Sequence, residues 1–442
     1  MNAPATYAVM GLDKSGLAAV QYLVAKGCRV LAWDDNPRQL DRAQALGAEP
    51  TNLAEGSYDC PLVLTPGIGL THPVAQRFKE VIGDIELFVR DNPEARLVGI
   101  TGTNGKSTTT ALIHHILTSA GVNAAIGGNF GTSPLALPKA DVYVIELSSY
   151  QLERCPSLKV EVGVMLNLTP DHLERHGDMQ GYADAKAKLF AKARPGAVAV
   201  FNEDDAWATL IGERAIAAGF MPSRISTKHE GGLLAVTGVN GQLRHQGNLV
   251  LNLKSDAPTL PGEHNWQNTC AAFAACHALN VAVADIATGI KTFPGLAHRQ
   301  QLVAERAGVR YVNDSKATNA DATSKALGCY ENIYWIIGGR AKAGGLDGLE
   351  GYMPRIRKAY IIGECAAEFG TWCAANNVAF EQCGTLDVAT RKAVQHAQAD
   401  TLAGAVVLLS PACASLDQFK GYEERGTVFM SYVNTLLQEA CA

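Results

Sequence analysis

Leu97-Val98-Gly99-Ile100-Thr101-Gly102-Thr103-Asn104-Gly105-Lys106-Ser107-Thr108-Thr109 is the stretch whose reading decides the fold. An apolar run stops in a glycine-rich turn that opens directly into an amphipathic segment, the pattern of strand, phosphate loop and helix. Leu112, Ile113, Ile116, Leu117 and Ala120 recur at helical spacing and predict one buried stripe on a helix starting near Lys106. A helix start there leaves free N–H groups and a positive dipole end facing the loop, which is what a polyphosphate needs. Lys106 is placed to reach the terminal phosphates and the Ser107 hydroxyl to hold a magnesium ion. Gly102, Thr103, Asn104, Gly105 and Thr108 complete the candidate nucleotide-binding set. Ile100 stands where a strict Walker A motif has glycine, so a glycine turn with a solvated lysine is the plain alternative.

Working outward, 442 residues exceed one ordinary core and predict two or three domains. Hydrophobic residues at 47% and charged residues at 18% describe a globular chain, and 43 glycines suit many strand-to-helix turns. A net charge of −5 argues against a nucleic-acid or membrane-surface partner. The 11 cysteines show no C-x-x-C pair and no zinc spacing, so they read as small buried hydrophobes. Met1-Asn2-Ala3-Pro4 lacks a basic and apolar leader, and there is no apolar run of about 18 residues. A cytoplasmic location without membrane insertion is expected.

Upstream, Tyr7–Gly16 reads as a strand and glycine turn leading into a helix through Leu17, Val20 and Leu23, a Rossmann-like opening with Asp13 at the middle glycine position. The strand Arg29–Trp33 ends in Asp34-Asp35, and Leu62–Ile68 runs into a Pro66-Gly67 turn. Ser15, Asp34 and Gly67 therefore fall at one carboxyl sheet edge, where open α/β sheets bind ligands. Asp34 and Asp35 also read as a helix cap.

Downstream, Asp141–Ile145 is a strand ending in Glu146, where a second magnesium-facing acid belongs. Val162–Asn167 is another, followed by the polar run Thr169–His176. His172 also reads as an ordinary hydrogen-bonded loop histidine. Ala183–Phe190 reads as a helix and Ala197–Phe201 as a strand. Alternation around Asn240-Gly241 predicts an antiparallel hairpin, and Pro261–Asn265 leads into an alanine-rich helix. From Pro294 onward, Val309–Asn313, Ile333–Ile337, Ala359–Ile362 and Val406–Leu409 imply a third, mostly parallel sheet. The expected architecture is α/β in three domains: a Rossmann-like domain over 1–90, a P-loop-type central domain over 91–293, and a Rossmann-like domain over 294–442.

Gly102–Thr108, Glu146–Ser149, Asn167–His172, Gly262–Asn265 and His298-Arg299 together resemble the Mur ligase superfamily, over nearly the whole chain. Asn313–Asn319 and Leu409–Phe419 resemble the branch that adds D-glutamate. The resemblance implies an ATP-dependent ligase of peptidoglycan synthesis that joins D-glutamate to UDP-N-acetylmuramoyl-L-alanine through an acyl phosphate. In that reading the first domain takes the UDP substrate, the second ATP and the third the amino acid.

By the same resemblance Lys106, Glu146, His172 and Lys186 are catalytic. Ser107 and Glu146 would face one of two magnesium ions and His172 the other, with Lys186 present as a carbamate formed from carbon dioxide. Asn268 would approach adenine, Asp314 the ribose and Arg299 the phosphates, while Asn129 would help place the muramoyl portion. His298, Lys316, Thr318, Lys342, Ser415 and Tyr422 would serve the substrates, the last four without His298 and Lys316 taking the two carboxylates of D-glutamate. On the residues alone Lys186 also reads as an exposed helix lysine, and Thr318 and Ser415 as helix caps. Arg340 occupies a position where an acid is often found, which leaves its partner open. A monomer is expected. The competing readings are another Mur-type or folylpolyglutamate ligase, and a nucleotide-dependent switch that makes no product.

Overall fold

The computed structural model describes residues 4–342 and 344–439. Its contacts divide the chain into two compact units, one running up to Asp256 and taking in Asn265–Phe293, the other made of Ala257–His264 and the chain from Pro294 onward.

The first unit holds two sheets. In the smaller, strands lie in the order Glu49–Pro50, Arg29–Trp33, Thr6–Met10, Leu62–Leu64, Val81–Ile82, all parallel. The helix Lys14–Ala25 lays Gly16, Ala19, Val20 and Leu23 into the core. Asn36, rather than either aspartate, caps the next helix by accepting from Arg38 N. Asp34 instead ties two strand ends, accepting from Leu12 N at 2.6 Å and Asn36 N at 2.8 Å.

The larger sheet has nine strands. Arg96–Thr101 lies between Val142–Glu146 and Val162–Met165, with Ile100 paired to Glu146 and Thr101 to Met165. That register brings the phosphate loop, Glu146 and the run after Asn167 to one edge. The helix Lys106–Ser119 follows, with Leu112, Ile113, Ile116 and Leu117 fully buried. At the far side, Leu234–Thr237 and Gln242–His245 pair antiparallel about Asn240-Gly241, as expected. A second tight turn, Gln246-Gly247, adds the strand Asn248–Asn252. Gln246 has a φ of +47°, a conformation that glutamine does not advertise in sequence.

One side chain fastens the two sheets together. Arg154 is 1% exposed; its Nη1 donates to Leu64 O at 3.0 Å and to Thr65 O, and its Nη2 donates to Ile68 O. Burial pushes the guanidinium down to about 10, and Nε has no partner. Asp84, also buried, receives Ser133 Oγ at 3.0 Å across the same junction.

The second unit is one six-stranded sheet in the order Gln301–Arg306, Val309–Asn313, Val406–Leu409, Ile333–Gly338, Ile356–Ile362, Phe380–Gly384. Only the first pair is antiparallel. Ala257–His264 packs with this unit, a placement that local sequence does not signal. No helix among the described residues is long and apolar enough to cross a membrane.

Arg154→Ala removes the guanidinium donors to Leu64 O, Thr65 O and Ile68 O, of which Thr65 O keeps Ile68 N at 3.2 Å, and is expected to cost about 3–5 kcal/mol, read from the urea midpoint of the full chain. A loss below about 1 kcal/mol would show that those carbonyls find other partners.

Candidate functional site

The phosphate loop is built from its neighbours. Gly102 has a φ of +150° and Gly105 of +83°, and a Cβ on Gly105 would lie 2.2 Å from Asn268 Oδ1. Both positions need glycine, one for its backbone and the other for backbone and space. Asn167 clamps the loop from the adjacent strand end: its O accepts from Thr103 N and its Oδ1 from Asn104 N, each at 2.9 Å, while its Nδ2 donates to Asn104 O at 3.2 Å. Thr103 Oγ1 reaches Thr169 O at 3.2 Å. The sequence signal for Asn167 is a polar residue closing an apolar run at the carboxyl edge of the sheet, and its clamp on the loop is visible only in the fold.

Lys106 Nζ donates to Gly102 O at 2.9 Å and to Thr103 O at 2.7 Å, across the mouth of the loop. Ser107 and Thr108 stand in the first helical turn behind it. The second lysine meets the first: Lys186 Nζ also donates to Gly102 O, at 2.9 Å. Lys186 is 1% exposed, so the reading of it as a solvated helix lysine fails. Burial, with the charge of Lys106 added, pushes its pKa well below the usual lysine value. Its helix, Met179–Ala187, starts four residues earlier than expected because Asp178 caps it through Gly181 N at 2.8 Å. Tyr182 on that helix carries Lys186 Nζ 4.6 Å above its ring, and burial raises the phenol to about 12.

Glu146 is 2% exposed. Its Oε1 accepts from Asn129 Nδ2 at 2.7 Å, while its Oε2 is buried with no partner. A buried carboxylate oxygen left unpaired is costly unless a hydrogen-bond donor or a cation meets it. No group of three or more His, Cys, Asp and Glu converges among the described residues. Magnesium suits such a site, since it takes one or two carboxylates and fills its octahedron with phosphate oxygens and water. His172, with a φ of +54°, packs its ring 5.0 Å from Tyr150 and 6.2 Å from Tyr182. Asp171 and Glu174 flank it at 3.4 and 3.8 Å. Asn268, 2% exposed, sits against Gly105 and donates to Asn265 Oδ1 at 3.2 Å. Ser15 and Gly67 lie at the carboxyl edge of the small sheet, as does Asp34.

In the second unit the remaining candidates cluster around three segments. Lys316 Nζ donates to Tyr422 OH at 2.9 Å, and its backbone N donates to His298 O at 3.0 Å. His298 Nδ1 is 3.0 Å from Asn313 Nδ2. Lys342 Nζ donates to Thr318 Oγ1 at 3.4 Å. Asn319, not Thr318, caps the helix Ala320–Leu327, which leaves the threonine hydroxyl for Lys342. Arg425, 1% exposed, forks onto Ser315 Oγ at 3.0 Å, Ser315 O at 2.8 Å and Cys413 O at 3.1 Å. It thereby fixes the strand-end loops that carry Lys316 and the buried Ser415. Arg340 finds its partner in Glu364, with two contacts of 3.0 Å. Asp314 accepts from Ser410 Oγ at 2.7 Å and Gln300 N at 3.1 Å. Burial pushes its carboxyl up to about 7 against the pull of those donors and of Arg299.

The Mur ligase middle domain matches residues 100–276. The UDP-N-acetylmuramoylalanine--D-glutamate ligase of Agrobacterium fabrum is 47% identical across 97% of this chain and 95% of its own length. That of Caulobacter vibrioides is 44% identical across 98% and 96%. Among solved structures, UDP-N-acetylmuramate-alanine ligase MurC of Thermotoga maritima superposes with a TM-score of 0.60 at 16% identity, covering 98% of this chain and 99% of that one. The UDP-N-acetylmuramoylalanyl-D-glutamyl-2,6-diaminopimelate--D-alanyl-D-alanyl ligase of Acinetobacter baumannii gives a TM-score of 0.61 at 17% identity, covering 96% and 93%. The solved structures share the fold, and the relatives share close to half of all residues end to end: the chain belongs to the Mur ligase family, among the UDP-N-acetylmuramoylalanine--D-glutamate ligases.

Proposed function

We propose that this enzyme joins D-glutamate to UDP-N-acetylmuramoyl-L-alanine at the expense of ATP, in peptidoglycan precursor synthesis, with an acyl phosphate as intermediate. The observation that carries the reading is the meeting of Lys106 and Lys186 on Gly102 O beside the half-paired carboxylate of Glu146, in a chain whose full-length relatives bear that ligase name.

The chemical difficulty is charge. A substrate carboxylate must attack a γ-phosphoryl group that is itself anionic, so cations have to neutralise both and hold them in line. Lys106, tethered across the loop mouth, supplies one fixed positive charge where the terminal phosphates lie. The open Glu146 oxygen and the Ser107 hydroxyl fit a magnesium ion, which when bound neutralises the phosphate oxygens. We assign His172 and Lys186 to a second ion. Burial and the charge of Lys106 lower the pKa of Lys186, which favours the neutral amine that takes up carbon dioxide. The carbamate so formed offers anionic oxygens where an ammonium offers none. In the second unit, Lys342 beside Thr318 presents an ammonium and a hydroxyl suited to an amino-acid carboxylate.

The working division is 1–90 for the UDP substrate, 91–293 for ATP and 294–442 for D-glutamate, and the residue roles implied by the resemblance stand within this proposal. A monomer acting in the cytoplasm fits it.

Product mass and phosphate release, with ATP, magnesium and UDP-N-acetylmuramoyl-L-alanine, should show ligation with D-glutamate and none with L-glutamate, L-lysine or meso-diaminopimelate. Phosphate release without any amine product would instead favour a nucleotide switch. Lys106→Ala is expected to lower turnover by about a hundredfold or more while the melting midpoint stays near the parent's; normal turnover would remove the phosphate-loop role. Lys186→Ala should be inactive and regain part of its rate with millimolar formate or acetate, which can stand in for a carbamate. Parental activity without added acid would count against carbamylation.

A further inference from the structure

The polar run after Asn167 ends in a buried side chain to which the reading above gives no role, that of His176. The His176 side chain is 3% exposed and held at both nitrogens: Nδ1 lies 3.3 Å from Glu153 Oε1, and Nε2 lies 2.9 Å from Ser149 Oγ. An ionised glutamate only accepts, so Nδ1 carries the proton and the serine hydroxyl donates to Nε2. Glu153 is itself fixed, its Oε2 accepting from Arg175 Nη2 at 2.9 Å. The order Ser–His–Glu matches that of a nucleophilic triad. Ser149 is 2% exposed, however, and its hydroxyl is enclosed by protein.

What the locked imidazole does offer is a flat face. It stacks on Tyr182 with ring centroids 5.2 Å apart and planes 25° from parallel. The Tyr182 ring carries Lys186 Nζ at 4.6 Å, and its hydroxyl lies 3.4 Å from Thr103 Oγ1. Lys186 then ends on Gly102 O. A continuous line of contacts thus runs from Arg175 and Glu153 through His176 and Tyr182 to the backbone of the phosphate loop.

We propose that His176 is a positioning residue for the ligation: its doubly anchored ring, stacked on Tyr182, sets where the Lys186 nitrogen stands beside the phosphate loop. The proposal rests on the reading of Lys186 as part of the reacting site. Placement errors of about 1 Å at a reacting centre cost about a hundredfold in rate, so a single stacked ring has leverage here.

Two substitutions separate the parts of the contact in the full-length enzyme. His176→Gln keeps a donor and an acceptor and loses the stack, whereas His176→Phe keeps the stack and loses both hydrogen bonds. The expected result is a kcat lower by about tenfold or more for His176→Gln, with KM for ATP and D-glutamate within about twofold of the parent. His176→Phe should retain more of kcat than His176→Gln does. On a Lys186→Ala background, assayed with formate, His176→Gln should cost less than about twofold further, because the residue through which it acts is gone. Parental kcat in His176→Gln, or the same fold loss with and without the Lys186 side chain, would overturn the inference. Parental activity of Lys186→Ala without formate would remove the underlying reading of Lys186 and the inference with it, whereas multiplying losses overturn the inference alone.

Discussion

Two amine nitrogens donate to a single carbonyl, Gly102 O, and much of the first unit is arranged around that fact. Each stands 2.9 Å from the oxygen, so the two lie within about 6 Å of one another. Two full positive charges at that spacing repel by about 3 kcal/mol at an effective dielectric constant of 20. Burial bears on one partner: Lys186, shut in behind Tyr182, gives up its proton more readily than an ordinary lysine, while Lys106 stands at the helix start facing the loop mouth. The loop's own geometry follows from the same point. Gly102 can present its carbonyl to both lysines because its φ of +150° is open to glycine, and Asn167 holds the next two residues in place from the neighbouring strand.

The frame was legible because its signals are local. The apolar run before Gly102, the stripe Leu112–Leu117 and the strand ending in Glu146 each announce themselves through spacing within a few residues, and all three stand where that spacing puts them. The sheet edge gathering Lys106, Glu146 and His172 follows from the rule for parallel strands. What sequence could not show was which side chains the packing would close over. Lysine and arginine are rarely buried, yet Lys186, Arg154 and Arg425 are each 1% exposed. Each is kept there by backbone carbonyls supplied from distant segments: Gly102 for the first, Leu64 to Ile68 for the second, Ser315 for the third. Pairings across 80 or more residues leave no periodicity to read. The same holds for His176, whose partners Ser149 and Glu153 are 27 and 23 positions away, and for the turn at Gln246, where the residue type gives no hint of its backbone.

The second unit shows the opposite balance for a carboxylate. Asp314 receives two hydrogen bonds and feels Arg299, yet burial outweighs them and holds its proton affinity near neutrality. Glu146 in the first unit is equally enclosed but has an oxygen still to satisfy. One acid finds its hydrogen-bond donors within the protein, while the other keeps a buried oxygen that a donor or a cation has still to meet.

The contact between Gly105 and Asn268 bears on how these enzymes can vary. The loop glycine and the helix asparagine are separated by 163 positions, and the amide oxygen occupies the space a Cβ would need. A larger residue at 105 would meet both a forbidding backbone angle and an occupied volume, so relief at 268 alone does not rescue it. Asn268 accepts only side chains that leave the loop its bend, and Gly105 accepts nothing larger than glycine. Two segments far apart in sequence thus share one small volume, and a substitution in either has to be accommodated by the other.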